Sequence, residues 1–209
     1  PRISTWAAQR GIVAIPVASG YIEALTEKSF DYLFSITHLA VIPEEALALP
    51  QRGTINFHDG PLPAFAGLHV PAWGILRGER SWAITFHRVI SKLDRGDILV
   101  QVPVNISPDD TSLTLNARCF EAGIAGFAKL IDDLSDGGVQ ARAQEATSFE
   151  YFGRHRRPEA ACVLDWKRPA AELEAMVRAL DFGQYPNPLG SPKILVDGQA
   201  FVVLRAHAW

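Results

Sequence analysis

Residues 53–63 constrain this chain more than any other stretch. Gly53-Thr54-Ile55-Asn56-Phe57-His58 reads as a β-strand that ends on polar residues. Asp59-Gly60-Pro61-Leu62-Pro63 then has to leave the sheet as a loop, because its prolines cannot donate to a strand ladder. Around this segment strand-like and helix-like patterns alternate, which implies an α/β fold with a mainly parallel sheet. Ile12 to Val17 is an apolar run after a helix end at Gly11, and Phe30 to Ile36 is a further strand candidate. The loop Thr37-His38-Leu39 follows, then a helix that starts near Pro43 and stops before Pro50. Trp82 to Val89 and Ile98 to Val102 are strand-like and flank the turn Asp94-Arg95-Gly96-Asp97, a hairpin at the sheet edge. Ser107 to Thr111 is rich in capping residues, and Leu113 to Leu134 carries apolar residues at helical spacing.

That long helix is expected to close a first domain, residues 1–135. Residues 136–158 hold Gly137-Gly138, few aliphatic side chains and the basic run Arg154-His155-Arg156-Arg157, which suits a surface linker. A second module, residues 159–209, has a helix around Ala171 to Leu180, a Pro/Gly-rich turn from Tyr185 to Gly190, and a hairpin from Lys193 to Leu204 turning at Asp197-Gly198. Two strands do not make a stable β-domain, so this module is expected to be partial. The start, Pro1-Arg2-Ile3-Ser4, has neither an initiator Met nor a signal-peptide pattern, so the chain is expected to be cut from a longer one.

Composition excludes several classes of function. A net charge of −3 and a pI near 6.1 give no broad basic field to attract nucleic acid or an anionic membrane. No apolar run is long enough to span a bilayer. Cys119 and Cys162 are the only cysteines and form no C-x-x-C pair, which argues against a metal site or disulfide framework and for buried thiols in a reducing cytoplasm.

Period-2 alternation puts Asn56 and His58 on one face at the carboxyl end of their strand, where open α/β sheets place ligands. Read alone, the pair also fits a strand-terminal Asn beside a partly buried His. The surrounding motifs add to it: Leu62-Pro63-Ala64-Phe65-Ala66-Gly67, Gly78-Glu79, Thr85-Phe86-His87, then Leu93-Asp94-Arg95-Gly96-Asp97-Ile98-Leu99 with Gln101. In order and spacing, from about Gly11 to Leu134, they resemble the folate-dependent formyltransferases, which act on methionyl-tRNA, glycinamide ribonucleotide and sugar amines. Leu164-Asp165-Trp166, Glu172-Leu173 and Val177-Arg178-Ala179-Leu180 resemble the entry to the barrel-like C-terminal domain of the methionyl-tRNA enzymes.

The resemblance implies a Rossmann-like formyltransferase domain without its opening strands, followed by part of a small β-barrel-like domain. It makes Asn56, His58 and Asp94 the catalytic trio, with 10-formyltetrahydrofolate as formyl donor and no metal. Attack of an amine on a formyl carbon builds a tetrahedral oxyanion, for which Asn56 offers an NH₂ and His58 a ring N–H. Asp94 can hold His58 in a donating form, favour its protonated state, or accept the amine's proton directly or through water. The pterin is expected against Thr37, His38, Leu39 and Val41 and against the segment Ile90 to Leu93. His38 reads as a solvated loop residue, His87 as a supporting or core residue, and His69 as a candidate for the acceptor mouth. Trp6, Trp73, Trp82, Trp166 and Trp209 read as packing residues.

Three features depart from the family pattern. The opening strand, helix and second strand are absent. Asp59-Gly60-Pro61-Leu62-Pro63 replaces a Ser-Leu-Leu-Pro loop. Ala64-Phe65-Ala66 lacks the arginines that flank the aromatic in relatives with phosphorylated acceptors, which argues against tRNA. The wording Phe57-His58-Asp59-Gly60-Pro61-Leu62-Pro63 looks like formyltransferase domains of nonribosomal peptide synthetases. The expected acceptor is therefore an amino acid or a carrier-bound aminoacyl group, with neighbouring synthetase domains as partners and the Arg154 to Arg157 run as either a solvated face or a carrier contact. Two other readings remain open: a formyl-folate hydrolase using the same trio, and a non-catalytic docking module.

Overall fold

The computed structural model describes residues 3–16, 20–145 and 148–207. Pro1, Arg2, Val17 and Trp209, on which some expectations fall, lie outside the described residues. The chain is a mixed α/β fold with a mainly parallel core sheet and a small antiparallel sheet near the C-terminus. It divides into two compact units, residues 1–55 and 56–209.

The first unit holds helices α1 (Ile3–Ala8) and α2 (Tyr21–Thr26), strand β1 (Tyr32–Ser35), helix α3 (Glu44–Leu47) and the start of β2 (Gly53–His58), which neighbours β1. Pro43 caps α3 rather than opening it, since its extended ψ of 150° is outside the helical range. Ile12 to Pro16 form no strand. Ile12, Val13 and Ile15 are exposed, and the Ile12 N–H donates to the Ala7 carbonyl at the end of α1 instead of to a neighbouring strand.

The second unit contains the end of β2, β3 (Ala66–Gly67), α4 (Val70–Leu76), β4 (Ser81–Arg88), β5 (Ile98–Asn105) and α5 (Ser112–Ser135), with sheet order β2-β4-β5. After it come β6 (Tyr151–Phe152), a 3₁₀ turn at Glu159–Cys162, α6 (Ala170–Ala179), and the hairpin β7 (Lys193–Val196) and β8 (Gln199–Val202). Strands β4 and β5 pair antiparallel, as the sequence implies. Thr111 and Thr114 cap α5 reciprocally through their hydroxyls. Leu115, Cys119, Gly123, Gly126, Leu130 and Leu134 form its buried stripe at helical spacing. Gly123 meets the Phe57 ring and Gly126 meets Val102 and Phe86, so these two positions bring helix and sheet into close approach. At the far hairpin Asp197 and Gly198 both have positive φ (49° and 78°), which a two-residue turn of the primed type requires.

The stretch expected as a surface linker is partly a packed strap. Ile98 and Arg142 exchange both backbone hydrogen bonds at 2.8 Å. Strand β6 pairs in parallel with β3, placing Ala66 opposite Tyr151 and Gly67 opposite Phe152. The Phe152 side chain is fully buried, stacked on Phe65 (5.4 Å) and tilted against Trp73 (5.1 Å). Arg77 and Arg156 both pair with Glu150 and both lie over the Phe152 ring. Arg156 is therefore a structural residue, while Arg154 and Arg157 are exposed. Phe152→Ala should lower the unfolding free energy by about 3 to 5 kcal/mol, measured by urea denaturation. A loss below about 1 kcal/mol would show that the strap does not share the core's stability.

Trp73 and Trp82 are buried as expected, whereas Trp166 is 71% exposed and Trp6 is 47% exposed under the Arg10 guanidinium. Cys119 and Cys162 are buried free thiols. No helix among the described residues is long and apolar enough to cross a membrane.

Candidate active site

All three proposed catalytic side chains belong to the second unit. Asn56 and His58 stand two residues apart at the end of β2, with His58 buried and Asn56 partly exposed. A register shift between Phe86 and His87 interrupts the β4–β5 ladder. The extra residue is Leu99 of β5, since Phe86 faces Val100 and His87 faces Ile98, so His87 lies directly opposite the irregularity. Asp94 sits on the turn between these strands with φ of 51°, a left-handed conformation that Asp tolerates better than most residues.

His87 is the hub of the cluster. Its Nδ1–H donates to the Arg88 carbonyl at 2.9 Å, and since a carbonyl can only accept, that bond fixes a proton on Nδ1. Nε2 then faces Asn56 Nδ2 at 3.2 Å and Asp94 Oδ1 at 3.4 Å. A neutral ring accepts from Asn56, and a protonated ring donates to Asp94. The second carboxylate oxygen, Oδ2, accepts from the Gly67 N–H at 2.8 Å.

Of the roles open to Asp94, a direct hold on His58 is not the one the geometry shows. The aspartate holds His87, not His58; His58 Nε2 donates to the Phe65 carbonyl at 2.6 Å. That bond leaves Nδ1 as the ring atom without a partner among the described residues. Burial pushes the Asp94 carboxyl up, but the hydrogen bond from His87, the nearby His58 and His87 and the Gly67 N–H outweigh it and hold it at about 2. The pair therefore carries an ionised carboxylate throughout the neutral range.

Five residues support the cluster in ways not legible from local pattern. Gly67 has φ of 104°, and a Cβ there would strike the Phe152 carbonyl, so only glycine lets the β3 backbone reach both Phe152 and Asp94. At Gly60 a Cβ would lie 2.6 Å from Val70 Cγ2 and 3.2 Å from His58 Nε2, which explains a glycine directly beneath the His58 ring. Thr85 Oγ1 donates to the Gly60 carbonyl (2.8 Å), and Gln101 Nε2 donates to Leu62 O and Thr85 Oγ1 (both 3.0 Å), fixing the loop that leaves β2. Gln144, from the strap, donates to the carbonyls of Asp94 (2.9 Å) and Gly96 (2.6 Å).

The residues expected to line a pterin fall into two groups. Thr37, His38, Leu39 and Val41 form an exposed loop of the first unit, with Thr37 at a φ of 57° and His38 solvated as expected. Ile90 and Leu93 are 45% and 49% exposed on the second unit, in the segment leading to Asp94. No group of three or more His, Cys, Asp or Glu side chains gathers in metal-binding fashion among the described residues.

Comparison with known proteins adds to this geometry. Residues 17–131 match the family described as formyl transferase. A structure of an N-formyltransferase from Helicobacter canadensis, in complex with folinic acid and dTDP-3-aminofucose, superposes with a TM-score of 0.77 at 20% identity, covering 96% of this chain and 69% of that one. A 4-N formyltransferase from Francisella tularensis gives a TM-score of 0.76 at 20% identity, over 99% of this chain and 84% of that one. HypX from Aquifex aeolicus, in complex with tetrahydrofolic acid, gives 0.64 at 17% identity, over 88% of this chain and 30% of that one.

Proposed function

The chain belongs to the formyl transferase family, and from that premise we propose that it transfers formyl from 10-formyltetrahydrofolate to the primary amine of an amino acid or a carrier-bound aminoacyl group. We place it as a cytoplasmic domain of a nonribosomal peptide synthetase, next to the carrier domain that would present that amine. The observation that supports the chemistry is the convergence of Asp94 Oδ1 and of Asn56 Nδ2, two residues before His58 on β2, on His87 Nε2.

The folate supplies an activated formyl group when bound. Leu39 and Val41 in the first unit, 66% and 71% exposed, and Ile90 and Leu93 in the second each present apolar surface of the kind a flat ring covers. Asn56 is a donor placed before reaction by its bond to His87, and its Nδ2–H turns to the developing negative charge, whereas His58, its Nε2–H committed to the Phe65 carbonyl, holds that loop and donates from Nδ1 only when the ring is doubly protonated. The Asp94–His87 pair takes the proton that the amine must lose. His87 Nε2 becomes its acceptor atom once Asn56 Nδ2–H, which occupies the ring's one lone pair at rest, turns to the oxyanion, and the carboxylate stabilises the imidazolium that results.

Calorimetry with a stable formyl-folate analogue tests the reading without knowledge of the acceptor. Saturable binding near micromolar is expected. Absence of binding at millimolar concentration would rule out a folate-dependent reaction.

A further inference from the structure

Two hydrogen bonds reach the Asp94 turn from far along the chain, both from one side chain. Gln144 Nε2 donates to the Asp94 carbonyl at 2.9 Å and to the Gly96 carbonyl at 2.6 Å. Carbonyls only accept, so the NH₂ end of the amide has to face them. The other end, Oε1, is buried without a hydrogen-bond partner among the described residues. An orphaned buried acceptor destabilises a fold, and an apolar side chain of the same length would avoid that penalty. The advantage of an amide at position 144 therefore lies in the two carbonyls it holds.

The turn needs such a hold. Asp94 has a φ of 51°, a conformation that a residue with a side chain keeps only where its surroundings over-determine it. Two residues on, a Cβ at Gly96 would collide with the Arg88 carbonyl, and the Arg88 N–H donates to the Asp97 carbonyl at 2.9 Å. The strap is itself anchored beside Gln144, since Arg142 pairs with the Ile98 backbone and its Nη2 donates to Gln101 Oε1 at 3.0 Å. From this turn the Asp94 carboxylate reaches the Gly67 N–H at 2.8 Å and His87 Nε2 at 3.4 Å. The second contact is already longer than an ordinary hydrogen bond, so a small drift of the turn loses it. The titratable groups acting on the carboxylate are His87 on β4, His58 at the end of β2 and Asp59 in the loop beyond. Gln144 is neutral, so its influence on Asp94 is one of geometry.

We infer that Gln144 is a positioning residue for the reaction: by holding the carbonyls of Asp94 and Gly96 it keeps the Asp94 carboxylate against His87 Nε2, and it does so from outside the stretch, residues 17–131, that matches the family. Its effect on rate rests on the formyl-transfer reading. Its effect on the state of Asp94 does not.

The test uses the whole chain and Gln144→Met, which keeps the length of the side chain and removes both donors. The Asp94 carboxyl carbon, identified by its loss in Asp94→Asn, is followed by NMR against pH. It should titrate at about 2 in the wild type. In Gln144→Met it should titrate about one unit higher, because burial pushes the carboxyl up once the bonds from His87 and Gly67 slacken. With phenylalaninamide as the amine, kcat should fall about tenfold while both KM values stay within about twofold. Gln144→Asn, one methylene too short to span both carbonyls, should lie between the two and serves where the Met variant does not fold. An unchanged Asp94 titration overturns the proposal whatever the rate does, and leaves Gln144 a brace of the strap. A kcat within about twofold of the wild type overturns it as well. A raised titration in a chain that binds no formyl-folate analogue keeps the hold on Asp94 and sinks the reaction.

Discussion

Asp94→Asn lowers kcat by about three orders of magnitude while leaving the fold and the donor affinity in place. The magnitude follows from general acid–base contributions of about 10² to 10⁴. The amide oxygen still accepts from Gly67, so the turn keeps its shape, but an imidazolium at His87 loses its counter-charge when the amine's proton arrives. The same variant carries a pH signature. A carboxyl held at about 2 in the folded chain, against an ordinary value of 3.8, stabilises the fold by about 2 kcal/mol at neutral pH. Because the folded value is the lower one, that contribution is fully present above about pH 4 and disappears as pH falls through 2. Wild type and Asp94→Asn should therefore differ in unfolding free energy at pH 7 and converge near pH 2. An unchanged kcat in a folded, donor-binding variant would remove Asp94 from the chemistry.

Substitution of Asn56 gives the second large effect, and it has an internal order. Asn56→Ala removes one donor to the developing oxyanion and should cost about 10² to 10³ in kcat. Since that interaction is made only as charge develops, kcat/KM should fall by the same factor and KM should stay close to its original value. Asn56→Asp keeps the size but places a carboxylate beside His87 and Asp94, so it should fall below Asn56→Ala. Steady-state kinetics on the three proteins decides it. An aspartate variant faster than the alanine variant would mean that Asn56 serves as a spacer and does not donate a proton to the reacting oxygen.

The elements legible in the sequence are those in which one periodic signal runs long enough to dominate. Strand β2 spans Gly53–His58 as read, the long helix differs from expectation by one residue at each end, and the far hairpin turns at Asp197-Gly198. Asn56, His58 and Asp94 stand out through the family resemblance that several motifs carry together, and His87 reads as a supporting or core residue. What the sequence could not convey is pairing. Strands β3 and β6 are two residues each, too short for any alternation, and only their mutual register defines them. For the same reason the motif leaves several roles open to Asp94, a hold on His58 among them, and it is His87, opposite the bulge at Leu99 of β5, that lies against it. Ile12 to Pro16 shows the converse error, an apolar run with no ladder to join.

The strap also sets an order of assembly. Every side chain of the candidate catalytic cluster has been made once His87 and Asp94 are joined to Asn56 and His58, yet Gln144 and Phe152 lie 50 and 85 positions beyond the backbone they brace, Gln144 at the Asp94 carbonyl and Phe152 at Gly67. Contacts so remote in sequence form only after long loops have closed, which makes them late steps in folding. A nascent chain that has emerged as far as the end of α5 would hold the reactive residues without the backbone that aims its aspartate. Reactive geometry is thus deferred until the polypeptide has passed Phe152.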